Sequence, residues 1–297
     1  MKKNILKLIT SCTIAFSLFS FTVQAQNKER VTFGIDLTDA QEVQMLKEFG
    51  VSENEVSVDR ITNNDIIKQL GLDPNDKSNY EGGCYSSSYV KITNNGGIQV
   101  QSNNLTEVTS LMLSNALVTS GITNAEVKAG SPFPVTGTSA LSGILKGFES
   151  AKGEELSLKN KKAAQEEIET TSALGEEIGY DEAAKVINDV KTKIIKEAPK
   201  NSEEISKIVE SITNNYTVEI SDEQKEQIKA LMTDINDLDI DYSTVKETLK
   251  NIGNQISEVL KNSGKDIQDS SFFQGIFAAI GNFFSKLFDS IKNIGNN

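Results

Sequence analysis

The sequence predicts an α+β protein with an N-terminal mixed α/β domain (residues 28–150), a helical bundle or arm (residues 151–267) and a C-terminal amphipathic helix (residues 268–297). Up to about residue 150, short alternating apolar segments are interleaved with segments of helical periodicity. From residue 151 the alternating segments nearly vanish, and apolar residues recur at helical spacing among frequent Lys and Glu. In the last segment, six of the 13 phenylalanines fall between Phe272 and Phe288.

Residues 1–25 have the organisation of a secretory signal peptide. Lysines precede an apolar run over residues 8–23, and Val23-Gln24-Ala25 places small residues at positions −3 and −1 of a cleavage site. A membrane span needs ~20 apolar residues, more than this run supplies. We therefore expect cleavage after Ala25 and a secreted or envelope-associated protein. The alternative is a lipobox ending at Cys12, but the apolar run continues past Cys12, whereas a lipobox normally closes such a run.

The composition excludes several classes of function. Loss of residues 1–25, which hold three lysines and no acid, changes the net charge from −12 to −15. A strongly acidic surface argues against a nucleic-acid partner. The chain has no histidine, which excludes a Ser-His-Asp triad, a Cys-His pair and a His-ligated metal site. Only Cys84 remains after cleavage, and an exported chain without disulfides suits a Gram-positive bacterium.

The first predicted elements are two strand–helix pairs. Thr38 and Gln41 have the spacing of a capping box, and Thr62 caps the second helix. Gly50 and Gly71 stand where the two helices should end. The predicted elements are a strand over 31–35, a helix over 39–49, a strand over 55–59 and a helix over 63–70.

Residues 84–100 predict a β-hairpin, because residues 94–97 (NNGG) supply the positive φ angles that a tight turn needs. Pro132 and Pro134 are expected to break the chain before the next helix. The elements predicted after the hairpin are a helix over 106–119, a strand over 126–128 and a helix over 139–148.

Four amphipathic helices are predicted in the second half of the chain. Pro199 ends the first, and Asn201 and Ser221 cap the second and third. Their apolar stripes contain Val186, Ile187, Val190, Ile194 and Ile195; Ile205, Ile208, Val209 and Ile212; Ile228, Leu231, Met232 and Ile235; and Val245, Leu249, Ile252, Ile256 and Leu260.

Three segments together resemble a known family. They are residues 31–51 (VTFGIDLTDAQEVQMLKEFGV), residues 85–90 (YSSSYV) and residues 103–143, which include GITNA and PFPVTGTSALSG. In this order they are similar to the YpuA-like exported proteins of Firmicutes, which are catalogued as a domain of unknown function. The resemblance covers most of residues 30–265 and implies export and the extent of the domain. It implies no catalytic residue.

Four internal segments are candidate sites. Residues 134–143 form a small-residue turn that opens a helix and could bind an anion, or a capped helix start whose glycines allow close packing. Cys84 lacks a histidine to activate it and is expected to be a buried structural residue. Ser86, Ser87 and Ser88 lack a Ser-x-x-Lys spacing and are expected to be strand and edge residues. The acidic run 234–241 lacks the Gly and Glu of a calcium loop, which favours an interhelical turn that supplies helix caps. We assign no catalytic, cofactor-binding or metal-binding residue, and no cofactor.

The C-terminal helix is the predicted contact with a membrane or a partner. An apolar face with little charge opposite it is typical of a helix that docks on its own core, on a second copy of the chain or on a membrane. The residues of this face are Phe273, Ile276, Phe277, Ile280, Phe283, Phe284, Leu287 and Phe288.

These observations favour an exported, envelope-associated binding or scaffolding protein without enzymatic activity. Its partner would be an envelope component or the membrane interface. Two alternatives stay open: a secreted hydrolase that uses a pair of carboxylates, and a membrane-active factor that acts through the C-terminal helix.

Overall fold

The computed structural model describes residues 28–77 and 82–264, and these residues form one five-stranded sheet and nine helices. The strands are β1 (Glu29–Gly34), β2 (Ser57–Ile61), β3 (Ser87–Ile92), β4 (Ile98–Leu105) and β5 (Ala125–Val135). The helices are α1 (Asp39–Phe49), α2 (Asn63–Leu70), α3 (Ser110–Thr119), α4 (Ala140–Lys152), α5 (Leu158–Ile178), α6 (Tyr180–Glu197), α7 (Ser202–Thr213), α8 (Asp222–Asn236) and α9 (Tyr242–Asn262). The α+β prediction is confirmed.

The predicted signal peptide, residues 1–25, and the predicted C-terminal helix, residues 268–297, lie outside the described residues. Among the helices of residues 28–77 and 82–264, none combines the length and the apolar character needed to cross a bilayer.

The sheet has the strand order β2-β1-β3-β5-β4. Strand β1 pairs in parallel with β2 and antiparallel with β3, whereas β5 pairs antiparallel with β3 and in parallel with β4. The predicted hairpin over residues 84–100 is therefore wrong in its pairing. Its two strands do run in opposite directions, but β5 lies between them.

The predicted turn between β3 and β4 is present. Its contacts and the burial of β5 explain why β5 lies between these two strands. Gly96 and Gly97 both have positive φ, at 96° and 71°. Gly97 contacts the incoming strand, because its carbonyl accepts a hydrogen bond of 3.1 Å from the Ala125 amide. Val127 and Ala129 of β5 are buried, so β5 gains more apolar contact in the middle of the sheet than at its edge. The polar strand β4 takes the edge instead.

The prediction that Pro132 and Pro134 break the chain is also wrong, because β5 continues to Val135. The Val135 carbonyl accepts from the Thr106 amide at 2.8 Å, so it faces β4. The prolines, at alternate positions, face the opposite side of the strand, where the ladder with β3 has ended at the pair Ser87–Gly130. Their missing amide hydrogens therefore cost no ladder bond there.

Helix α3 and strand β2 both begin later in the chain than predicted, and local hydrogen bonds explain the two differences. Helix α3 begins at Ser110 rather than near Thr106, because the amides of Thr106 and Glu107 continue the bonding to the β5 end. Strand β2 begins at Ser57 rather than at Glu55, because the Glu55 carboxylate accepts hydrogen bonds from Ser52 and closes a turn. The capping boxes at Thr38, Thr62 and Ser221, and the ends at Gly50 and Gly71, are as the sequence indicates.

One apolar core runs from the sheet into the helices of the second half. It begins at Val90 and Val127, passes through α3 and α4, and ends at Leu260 of α9. A smaller cluster fills the opposite face of the sheet beneath α1. The four predicted amphipathic helices are α6 to α9. The division into domains near residue 150 stays a prediction.

Candidate functional site

A cavity of about 400 Å³ lies between α2, the chain entering β3, the β5–α4 connection and α5. It brings together segments that the sequence presents separately: Cys84, Ser86 and the turn over residues 135–139. Its other polar walls come from Asn63 of α2, Ser142 of α4, and Gln165 and Glu169 of α5. Its apolar wall is formed by side chains of α2 and the residues after it, Ile66, Leu70 and Leu72. This volume is within the range of small-molecule sites, ~300–1,000 Å³.

The turn into α4 shapes one side of the cavity. Gly137 has a φ of 91°, and a Cβ there would meet the Leu105 side chain at 3.0 Å. The Gly137 carbonyl accepts the Ala140 amide at 2.9 Å, which closes the turn. Ser139 is the N-cap residue of α4, but its side chain does not cap the helix. The expected capped helix start is therefore correct in position and wrong in the capping bond.

Two buried polar groups on the cavity wall have no hydrogen-bond partner among the residues that the structure describes. Ser142 is 1% exposed and Gln165 is 9% exposed, and neither the Ser142 hydroxyl nor the Gln165 carbonyl oxygen is bonded within the described residues. The Gln165 amide nitrogen donates to the Thr138 carbonyl at 3.4 Å and to Glu169 at 3.0 Å, which fixes the orientation of the carboxamide. A buried polar group without a partner costs ~1–3 kcal/mol, so these two atoms favour a polar ligand.

Hydrogen bonds hold Cys84 in place, and its surroundings make its thiol unreactive. Its thiol donates to the Asn63 side chain at 2.8 Å, and its amide donates to the Asp36 carboxylate at 2.7 Å. Burial, followed by the negative charges of Asp36 and Asp65, raises the pKa of the Cys84 thiol to about 11. Gly34 lets the chain approach, because a Cβ there would be 2.0 Å from the Cys84 carbonyl oxygen. The predicted burial of Cys84 is confirmed.

Ser87 and Ser88 lie in β3 and Ser86 immediately precedes it. The expectation that they are edge residues is wrong, because β3 is the central strand, between β1 and β5. All three are buried.

The cavity has an acidic electrostatic character. Glu169 is the only charged side chain among the described lining residues, and no lysine or arginine is among them. An anion at the start of α4 would therefore lack a cationic partner and would face a carboxylate. This charge distribution does not suit the phosphate or carboxylate site that residues 134–143 suggest.

Two carboxylate arrangements outside the cavity are a helix cap at Asp241 and a surface pair of Glu166 with Asp234. Asp241 is the N-cap of α9, and the hydrogen bond from the Ser243 hydroxyl, with that from its amide, lowers the pKa of Asp241. The interhelical turn predicted there is confirmed. Glu166 of α5 meets Asp234 of α8 on the surface, and burial followed by the charge of Asp234 raises the pKa of Glu166. Within residues 28–77 and 82–264, no group of three or more Cys, Asp or Glu side chains is arranged to hold a metal ion.

A buried network joins three helices and was missed from the sequence. Lys191 of α6 is 0% exposed and pairs with Glu167 of α5 at 2.6 Å. Its ammonium group also donates to the Asn115 carbonyl at 2.8 Å and to the Thr119 hydroxyl of α3 at 3.2 Å. Burial lowers the pKa of Lys191, against the raising effect of the Glu167 charge. Because Lys191 and Glu167 join α3, α5 and α6, we assign this network to helix packing.

Gln165 and Glu169 were also missed as site residues. The available signal was Gln165 itself, a polar residue between Ala164 and Ile168 on the inward face of α5. The predicted contact residues of the C-terminal helix, from Phe273 to Phe288, lie beyond the part of the chain that the structure describes.

Comparisons with known proteins identify the family without an activity. The chain is 34% identical over 231 residues to the "Uncharacterized protein YpuA" of Bacillus subtilis (strain 168), a match that covers 76% of this chain and 78% of the relative. No solved structure gives a significant match. Residues 33–252 match the family model described as "Protein of unknown function (DUF1002)". The chain belongs to this DUF1002 family of uncharacterised, YpuA-like proteins.

Proposed function

We propose that this protein is an exported, envelope-associated binding protein that captures a neutral ligand rich in hydroxyl and amide groups in the cavity between α2, β3, α4 and α5. The observation that carries the proposal is the pair of unbonded polar groups on the cavity wall, the Ser142 hydroxyl and the Gln165 carbonyl oxygen. One is able to donate and the other accepts, so a ligand with both kinds of group satisfies both.

The charge of the cavity argues against an anionic ligand. Glu169 repels anions, and no described lining residue is cationic. A carboxylate can accept hydrogen bonds from ligand hydroxyls without a counter-charge. The apolar wall of Ile66, Leu70 and Leu72 supplies contact for the less polar face of such a ligand.

The same surroundings favour binding over catalysis. Cys84 stays protonated at neutral pH because its pKa is raised to about 11. Carboxylate-dependent hydrolysis of glycosides generally uses two carboxyl groups, and Glu169 is the single carboxylate among the described lining residues. The pair Glu166–Asp234 lies on the surface and is not part of the cavity wall.

A thermal-shift experiment tests the ligand class. N-acetylglucosamine, which carries hydroxyl groups and an amide, should raise the melting temperature of the full chain in a concentration-dependent way, because a ligand that binds only the folded state stabilises it. Inorganic phosphate serves as the anionic control and should leave the melting temperature unchanged, because Glu169 repels it. Stabilisation by phosphate but not by the sugar would contradict the proposal.

Export and envelope association rest on the two ends of the chain. Mass spectrometry of the envelope or culture fraction should find a mature N-terminus at Gln26. The mature protein should float with neutral liposomes, and Phe284→Asp, which places a charge on the apolar face of the predicted C-terminal helix, should abolish flotation. A lipidated Cys12, or a mature protein that ignores liposomes, would contradict this part of the proposal.

A further inference from the structure

We propose that a second cavity, on the opposite face of α2, binds a zwitterionic ligand of the short-peptide class. This cavity has a volume of about 320 Å³ and lies between α2, α4, the connection after α4 and the start of α5. Asp65, Lys68 and Gln69 of α2 face it, whereas the residues of α2 that line the first cavity are Asn63, Ile66 and Leu70. The two sets point to opposite sides of the helix, as 3.6 residues per turn requires.

Two ion pairs give this cavity a fixed, electrically balanced wall. Lys146 of α4 pairs with Asp65 at 3.1 Å and also donates to the Arg60 carbonyl at 2.6 Å. Lys161 of α5 pairs with Glu149 of α4 at 2.8 Å. The Glu149 carboxylate also accepts the Leu156 amide at 2.8 Å, which ties the α4–α5 connection to the wall. These four charges neutralise one another, so they do not select a ligand by net charge.

The polar groups of the cavity lining that lie outside these two ion pairs are complementary to a peptide. The carboxamide nitrogen and oxygen of Gln69 are both buried, and neither has a hydrogen-bond partner among the described residues. A carboxamide whose nitrogen can donate and whose oxygen can accept matches the peptide bond, which offers an acceptor and a donor. Lys68 and Glu155, both exposed on the cavity lining, belong to no ion pair among the described residues.

A free carboxylate would pair with Lys68 and a free ammonium group with Glu155. Leu156 and Leu158 complete the lining, and Leu158 is 47% exposed, so apolar contact is available for a ligand side chain. A ligand with both charges, an amide and an apolar side chain therefore uses Lys68, Glu155 and Gln69, together with the apolar part of the cavity lining. A purely anionic ligand would pair with Lys68 but would be repelled by Glu155. A purely cationic ligand would pair with Glu155 but would be repelled by Lys68.

This inference is independent of the proposed function, since it uses different residues on a different face of α2. The probes are the dipeptide alanyl-leucine and its N-acetylated, C-amidated form, which has the same backbone and side chains without the terminal charges. Isothermal titration of the full chain should show binding of the free dipeptide and binding at least about tenfold weaker for the blocked form.

Variants separate a binding site from a structural one. Gln69→Leu should weaken dipeptide binding at least about tenfold while the melting temperature stays equal or rises, because the substitution removes an unbonded buried amide. Lys68→Ala and Glu155→Ala should each weaken binding, whereas the exposed controls Lys47→Ala and Glu53→Ala should not. The proposal is overturned if the free dipeptide does not bind, if the blocked form binds equally well, or if Gln69→Leu leaves the affinity unchanged.

Discussion

The buried ion pair between α5 and α6 makes the sharpest prediction about stability. Replacing Lys191 by Met removes a cation whose ammonium group is fully buried and makes three hydrogen bonds. The Glu167 carboxylate, 1% exposed, then keeps only the Thr119 hydroxyl, which donates to it at 2.5 Å. Breaking a buried pair in this way costs ~3–5 kcal/mol, a large share of a typical folding free energy of ~5–15 kcal/mol.

The variant that removes the carboxylate should show a pH dependence of defined sign. In Glu167→Gln, the already lowered pKa of Lys191 falls further. There the unfolded state binds more protons below ~10.4, so stability rises with pH.

Urea unfolding followed by far-ultraviolet circular dichroism at about pH 5.5 and about pH 8.5 measures this slope and the loss in both single variants. The double variant Lys191→Met/Glu167→Gln is the matched control, because removing both charges should cost clearly less than the sum of the single changes. A loss below ~1 kcal/mol for Lys191→Met, or a stability of Glu167→Gln that falls as pH rises, would refute this account of the network.

Three further predictions concern the surroundings of the candidate site. Cys84 should react slowly with a thiol reagent at about pH 8 in the native protein and rapidly in urea, since its pKa is raised to about 11; rapid native labelling would contradict the described burial. Glu166→Gln should raise the stability at neutral pH by about 0.2–0.5 kcal/mol, because it removes repulsion from Asp234, and the gain measured by urea unfolding should shrink as pH falls and Glu166 becomes protonated. Gly34→Ala should cost more than ~4 kcal/mol in the same measurement, because the new Cβ would lie 2.0 Å from the Cys84 carbonyl oxygen. Its control Gly143→Ala, in α4 with its nearest neighbour at 3.5 Å, should be neutral or stabilising by up to ~1 kcal/mol, and equal losses in both would contradict the packing.

Local chemistry made much of the fold predictable. The capping boxes at Thr38 and Ser221 and the glycine at position 50 use bonds within a few residues, so their spacing alone defines the helix ends. The apolar stripe from Val186 to Ile195 is likewise predictable, because the apolar residues that recur at helical spacing are the ones that α6 buries.

Strand pairing was not predictable in the same way, because it depends on residues far apart in the chain. The turn at Gly96 and Gly97 has hairpin chemistry, yet the partner of β3 is β5, whose buried Val127 and Ala129 gain more in the sheet centre. A proline ends a strand only where its missing amide hydrogen is needed for a bond to the neighbouring strand. The sequence around Pro132 and Pro134 does not show that this side of β5 has no neighbouring strand there.

The candidate site was predictable only in fragments. Cys84 and the turn at 135–139 stand out as small-residue segments, but the packing of α5 against α2 brings Gln165 to them. The buried pair of Lys191 and Glu167 has the same origin. In the sequence each residue has the pattern of an exposed charge, and it is the packing of the helices that buries them together. Tertiary packing between distant elements therefore creates the site.

The affinity for N-acetylglucosamine in native and cavity-altered protein is the most direct test of the central claim. Isothermal titration should show that Ser142→Ala/Gln165→Met weakens binding at least about tenfold, since both cavity hydrogen bonds are lost. Ser114→Ala is the matched control: it removes a buried serine hydroxyl that donates to the Ser110 carbonyl at 2.8 Å, away from the cavity, and should leave the affinity unchanged. Equal affinity in the native protein and the double variant would contradict the claim that this cavity is the binding site.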